Sequence, residues 1–500
     1  MTASDGRAPG LARNTTYNLA GSLFPIAVTL ITVPLYLHQI GQARYGVLAV
    51  VWLILGYFSI FDMGLSRATA NFTAKLRDGK AEERQRLFWT AVTMNALFGI
   101  LGGFLFWLLG GLLLGDVVAM PSELRTEVVS VLPWIVVALP VLSVAGVLSG
   151  TLEGNGRFLT VNIISVIGSV MFAVVPLVIA FAWSNSLICL IPAAVLTRVI
   201  FAIPLFVFAL RSLPQSGFVK PSVRVGHKLL GYGGWVMVTN IISPILEAAD
   251  RMLIAAVLGV TAVTTYTIPF NLADRLRIIP SALARTLFPH LSTLNADVAK
   301  QVARTGVRML GKVMTLVVCL GILGMHLFIS LWINSDFAKE AAPVGEIIVL
   351  GLWINGLAFL PFSLLQSQGR PDLTAKLHAL ELLPFLGVLW LSMQWFGLEG
   401  AALAWTLRVI VDASLLFLLT HLASSFLFDL WPAFFALGIS WLLATTLPDQ
   451  SLWKWGIGAL LMFCLAAWIW QSEPRLRKKL VSGLLYLRRI PFGKARRYLP

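Results

Sequence analysis

Arg198 stands near the middle of an uninterrupted apolar run, 188–210, with no acidic residue within a helical turn of it. A cation at the centre of a bilayer costs at least about 2.5–3.5 kcal/mol, so it must face a counter-charge or a watery cavity. Six more arginines, Arg67, Arg251, Arg275, Arg277, Arg285 and Arg408, fall in apolar runs, as do the acids Asp62, Glu247, Asp250, Asp274, Glu381 and Asp412. Every basic residue in this set is arginine. Its planar fork of donors matches phosphate oxygens and stays charged when desolvated, whereas a buried lysine readily loses its proton. The chemistry indicated is reversible binding of a phosphate-bearing anion, with Arg198 as the leading contact.

Each charge also has a plainer reading. Arg67 and Arg285 lie near helix ends and can snorkel to the interface. Arg408 and Asp412 are four apart on one helix face and can neutralise each other. Glu247, Asp250 and Arg251 are spaced i, i+3, i+4, as are Asn271, Asp274 and Arg275 on the following run. These two clusters are either an ion-pair network or a site where an acid takes up a coupling ion, a proton or sodium. Asp62, within FDMGL, is placed to reach into the same cleft, and His378 with Glu381 makes a further pair. The remaining histidines are scattered at helix ends without metal spacing, and Cys189, Cys319 and Cys464 all fall in apolar runs. Neither a metal site nor a disulfide framework is predicted, and no cofactor motif appears.

The elements that must hold these residues follow from composition. Of 500 residues, 58% are hydrophobic and only 12% charged, with a mean hydropathy of +0.84. Soluble domains carry about 25% charged residues, so the solvent here is lipid. Runs of bilayer-crossing length, about 20 residues, recur at 14–37, 47–70, 87–113, 128–151, 159–181, 188–210, 234–257, 263–288, 313–333, 343–364, 377–395, 400–421, 431–447 and 453–471. The fold class is therefore an all-α polytopic membrane protein of about 14 transmembrane helices. The first run reads as a permanent helix, not a cleaved signal peptide. Alternate loops, counted from the N-terminal tail, hold 27 of the 38 Lys and Arg residues, and the opposite loops hold 4 when Lys454, at the very start of the last run, is counted with them. Basic loops stay in the cytoplasm, so both termini are expected there. This asymmetry and a basic tail account for most of the +15 net charge, and nucleic-acid binding is set aside.

The chain repeats itself at an offset of roughly 210–220 residues. Asn18 to Pro25 matches Asn240 to Pro244; LSRAT at 65–69 matches LART at 283–286; LEGNGRFLT at 152–160 matches LQSQGRPDLT at 365–374; and TRVI at 197–200 matches LRVI at 407–410. An even number of spans per copy gives both the same orientation, so the lobes are related by a pseudo-two-fold axis along the membrane normal. The predicted organisation is an N-lobe over 1–210, a cytoplasmic linker over 211–233, a C-lobe over 234–421, two additional spans over 431–471, and a basic cytoplasmic tail over 472–500. Leucines at helical spacing in that tail suit an amphipathic helix attracted to anionic membrane lipids. Prolines such as Pro25, Pro140, Pro204 and Pro361 fall inside spans and bend them.

The opening stretch NTTYNLAGSLFPIAVTLITVPLYLHQIGQARYGVLAVV, the segment FDMGLSRATANFTAKL and the segment EAADRMLIAAVLGVTAVTTYTIPFNLADRL resemble bacterial polysaccharide (O-antigen-type) repeat-unit flippases. These belong to the multidrug/oligosaccharidyl-lipid/polysaccharide exporter superfamily. The resemblance implies a multi-pass protein of the bacterial cytoplasmic (inner) membrane. It also implies export of an undecaprenyl-diphosphate-linked oligosaccharide from the inner to the outer leaflet by alternating access, through a cationic cavity. Its implied partners are the lipid-linked substrate, membrane lipids and polysaccharide assembly enzymes. Functional charges of such proteins lie on the first, second, seventh and eighth helices, and Asp62, Arg67, Asp250, Arg251, Arg275 and Arg285 occupy corresponding ones. The first span lacks any charge after Arg13, unlike that of lipid II flippases. A multidrug exporter would want an acidic cavity, and a glycan polymerase a large outer loop; the largest outer loop here is 116–127. The protein is read as a transporter and not an enzyme.

Overall fold

The computed structural model describes residues 10–57, 62, 64–77, 79–214, 219–422 and 430–473, with side chains described except at 10–23, 57, 231–244 and 371. The basic tail beyond 473, and the side chains of the Asn18 and Asn240 to Pro244 matches, lie outside the described residues.

Lipid offers no hydrogen bonds, so a chain this apolar satisfies its own backbone by winding into helices. The described residues form α1 (Gly10–Tyr57), α2 (Leu65–Lys75), α3 (Ala81–Gly111), α4 (Ser122–Gly154), α5 (Phe158–Ala182), α6 (Leu187–Arg211) and α7 (Val223–Val257). They continue as α8 (Val260–Asp274), α9 (Ile278–Leu291), α10 (Ala296–Trp332), α11 (Ser335–Ser367), α12 (Pro371–Leu419), α13 (Trp431–Thr446) and α14 (Leu452–Ser472). Nine helical stretches among the described residues are long and apolar enough to cross a membrane. Two helices run on from one predicted span into the next: α1, which holds the first span and the start of the second, turns at Gly41, φ 75°, and α12 turns at Gly397, φ 54°. That backbone region is open to glycine and strained for other residues.

Two predicted spans are not continuous helices. The span over 47–70 is broken at Gly64, φ 72°, after which α2 starts at Leu65. The span over 263–288 is interrupted by a 3-10 turn, Arg275–Arg277, between α8 and α9. Both breaks fall where charged residues crowd an apolar run. Hydropathy averaged over a span does not register such a break.

The described residues pack into two compact units, those up to 267 with 393–398, and those of 268–392 with 399–473. This grouping is by packing, whereas the predicted lobes are defined by the internal repeat. In the first unit α4 lies directly on α2: a Cβ on Gly150 would stand 2.3 Å from the Ser66 carbonyl oxygen, and one on Gly154 2.6 Å from that of Ala70. Small residues permit this approach, and such contact is the main source of helix association in lipid. At one end of these helices, Arg44 meets Glu127 at 3.0 Å, and the second Glu127 oxygen accepts the Leu187 N–H at the start of α6.

In the second unit α10 and α11 form a hairpin, and α11 is the most enclosed helix described. The α13–α14 pair is fastened to α10 at two heights. Lys312 Nζ donates to Glu473 and Ser472, each at 2.9 Å. At the other end Asp449 pairs with His326 of α10 and with the buried Lys454, both at 2.5 Å. Burial pushes the Asp449 carboxyl up, but hydrogen bonding from Lys454 and His326 outweighs it and holds the group below the ordinary carboxylate range. A carboxyl depressed in the folded state contributes stability in full above its unfolded value, about 4, and loses it as pH falls through its folded value. Asp449→Asn should therefore flatten the acid limb of the stability–pH profile, measured by thermal unfolding in detergent. Superimposable profiles would show that the clip contributes nothing.

Candidate functional site

In the first unit the site is built on an aromatic stack. Trp52 of α1 packs edge-on to Tyr36 and Tyr45, with centroids 5.6 and 6.1 Å apart, and against Phe172 of α5 at 5.8 Å. Tyr36 fixes this stack by donating to the Ala173 carbonyl at 2.7 Å. Arg198 of α6 lays its guanidinium over the Phe172 ring, 4.2 Å from the centroid. Its Nε is buried without a hydrogen-bond partner, and the side chain forms no ion pair among the described residues. A desolvated cation–π contact returns about 2 kcal/mol, less than the cost of the bare charge. Arg198 is thus held by an aromatic ring and has no counter-charge among the described residues.

The other arginines divide. Arg251 is buried, donates to the Glu247 carbonyl at 2.8 Å and lies 3.8 Å from Asp250. Asp250 is fully buried, accepting the Arg251 N–H at 2.7 Å and the Tyr266 hydroxyl of α8 at 2.8 Å. Glu247 is exposed. Arg277 is committed to Asp274, 3.1 Å away, and to Asn355 of α11 at 3.0 Å. Arg67, Arg275 and Arg285 are exposed, and Arg285 donates to the Ser281 hydroxyl at 3.5 Å.

Asp62 occupies the break before α2. It accepts the Ser66 N–H at 3.1 and 3.2 Å, the Ser66 hydroxyl at 2.7 Å and the amide of buried Asn95 at 2.8 Å. The carboxylate caps a helix that starts inside the apolar span, satisfying donors that lipid would leave bare.

The turn at Gly397 folds the two arms of α12 together and changes the expected pairing. Arg408 pairs with Glu381 at 4.0 Å, across the hairpin, and lies 5.3 Å over the Phe385 ring. Asp412 pairs with His378 at 3.6 Å. Arg198 and Arg408, which the sequence aligns as TRVI with LRVI, each lie over a phenylalanine of the preceding span, Phe172 and Phe385. Among the described residues Arg408 has an acid within ion-pair reach and Arg198 has none. Sequence reasoning missed Glu346, a buried acid three residues into the span 343–364, and buried Lys454. Both stand at span boundaries, where composition alone does not separate a loop charge from a buried one.

Together these features define a polytopic α-helical membrane protein that holds charges within its apolar spans. Its fold is similar to that of "Lipid II flippase MurJ, inward closed conformation", with a TM-score of 0.72 at 12% identity, covering 92% of this chain and 100% of that one. It is also similar to an outward-facing multidrug resistance MATE family transporter of the MOP superfamily, with a TM-score of 0.56 at 13% identity, covering 81% and 94%. In sequence it is 28% identical over 407 residues to a Shigella flexneri protein named "Putative O-antigen transporter", covering 81% of this chain and 96% of that one. Residues 11–295 match the polysaccharide biosynthesis protein family, and the chain belongs to that family.

Proposed function

We propose that this protein is a flippase moving an undecaprenyl-diphosphate-linked oligosaccharide repeat unit from the inner to the outer leaflet of the bacterial inner membrane by alternating access. Both termini lie in the cytoplasm, as the distribution of basic loop residues indicates. The observation that carries the reading is Arg198, an acid-free guanidinium stacked on Phe172 within a membrane span of a polysaccharide biosynthesis protein. A diphosphate is the complementary charge, and the arginine fork matches its oxygens. Exposed Arg67, Arg275 and Arg285 add positive potential, while Arg251, Arg277 and Arg408 are held by acids or carbonyls and position their helices. Outward movement of an anion from a negative interior gains about 2.3 kcal/mol per charge per 100 mV. The family and its named relatives support transport over catalysis.

The cellular test is the sidedness of polyprenyl-linked oligosaccharide with and without the gene, in a strain lacking redundant flippases. Loss of the gene should strand the lipid-linked sugar on the cytoplasmic leaflet. Normal appearance of the sugar on the outer leaflet would refute the reading.

A further inference from the structure

The α12 hairpin encloses a charge set that does not balance. Glu381 and Asp412 are 7% and 8% exposed. Neither carboxyl oxygen of Glu381 has a hydrogen-bond partner, nor has Oδ1 of Asp412. The two acids repel one another when both are ionised. Facing them are Arg408, 4.0 Å from Glu381, and His378, 3.6 Å from Asp412, whose ring is stacked on Phe362 of α11. Asp412, His378 and Arg408 are the charged groups that act on Glu381. The buried acid of α11, Glu346, is instead acted on by Lys454, Asp449 and Glu399. With a neutral imidazole the set carries two negative charges and one positive. Buried carboxylates without donors are unstable in a low-dielectric interior unless one takes up a proton.

We infer that the α12 hairpin is a proton-binding site in which Glu381 and Asp412 share one proton, and that its occupancy decides whether Arg408 faces two carboxylates or one, and so how firmly it is withheld from an anion. When the proton binds, a carboxylate oxygen becomes a hydroxyl, which can donate to the other carboxylate, and the set becomes neutral. When it leaves, the unpaired negative charge retains Arg408. A metal cation fits poorly. It would need a cage of oxygen ligands, and the neighbours here are a guanidinium and an imidazole. The acid-free Arg198 is the permanently open counterpart of this gated arginine. The gating role rests on the flippase reading, whereas proton binding stands apart from it.

The test is infrared difference spectroscopy of the full-length protein in lipid nanodiscs, stepped from alkaline to acid pH. Wild type should show a protonated-carboxyl carbonyl band that is lost in Glu381→Gln, lost or displaced in Asp412→Asn, and kept in Glu381→Asp. Arg408→Leu removes a neighbouring positive charge, so the band should persist to more alkaline pH, a shift that a merely structural arginine would not produce. Exchanging sodium for potassium should leave the band in place. A band unchanged in whichever of Glu381→Gln and Asp412→Asn folds, or one controlled by sodium and not by pH, would overturn the proposal. Failure of flipping with the band intact would refute only the transport reading.

Discussion

Arg198→Ala is expected to lower export of the lipid-linked repeat unit by about 10- to 100-fold while leaving the protein as stable as wild type or more so. A charge-assisted hydrogen bond is worth about 1.5–3 kcal/mol, which converts to that range of binding and rate. Stability should not fall, because no acid loses its partner when this guanidinium goes. Arg198→Lys keeps the charge but loses the planar fork and the flat stack on Phe172, so it should be intermediate. The readouts are surface polysaccharide in complementation and thermal unfolding of the purified variant. Full export by Arg198→Ala would remove this residue from the substrate path.

Asp250→Ala should do the reverse, failing through the fold. Its carboxylate is fully buried between the Arg251 N–H and the Tyr266 hydroxyl, with the Arg251 guanidinium beside it. Removing one member of a buried ion pair costs about 3–5 kcal/mol, because the remaining charge is left uncompensated. Folded yield and thermal stability should drop sharply, and the Asp250→Ala, Arg251→Ala double variant should recover part of the loss. A stable Asp250→Ala protein would show that the acid is free for another task, such as the ion coupling expected of it from sequence.

The surroundings of these two residues were not equally legible in the sequence. The spans were, because a bilayer imposes length and apolarity on each one, and so was the isolation of Arg198, which needs only the absence of acids on its own helix. Pairings across helices were not. Arg408 and Asp412 are neighbours at i, i+4, yet the hairpin at Gly397 brings each to a partner on the other arm, Glu381 and His378. Tyr266 as the partner of Asp250, sixteen residues away, carries no local signal. Asp62 reads as an intramembrane acid, but the helix break that makes it a cap depends on Gly64 adopting φ 72° and on Asn95 from α3. Charge in an apolar run marks where something must be satisfied; the satisfying group is supplied by tertiary structure.

The most direct test of the account is translocation by the purified protein in lipid vesicles loaded with a polyprenyl-diphosphate-linked oligosaccharide, reading the fraction of sugar accessible to an external lectin. The account predicts protein-dependent transfer between leaflets that Arg198→Ala largely abolishes. Transfer no faster than in protein-free vesicles, by correctly folded protein, would contradict it.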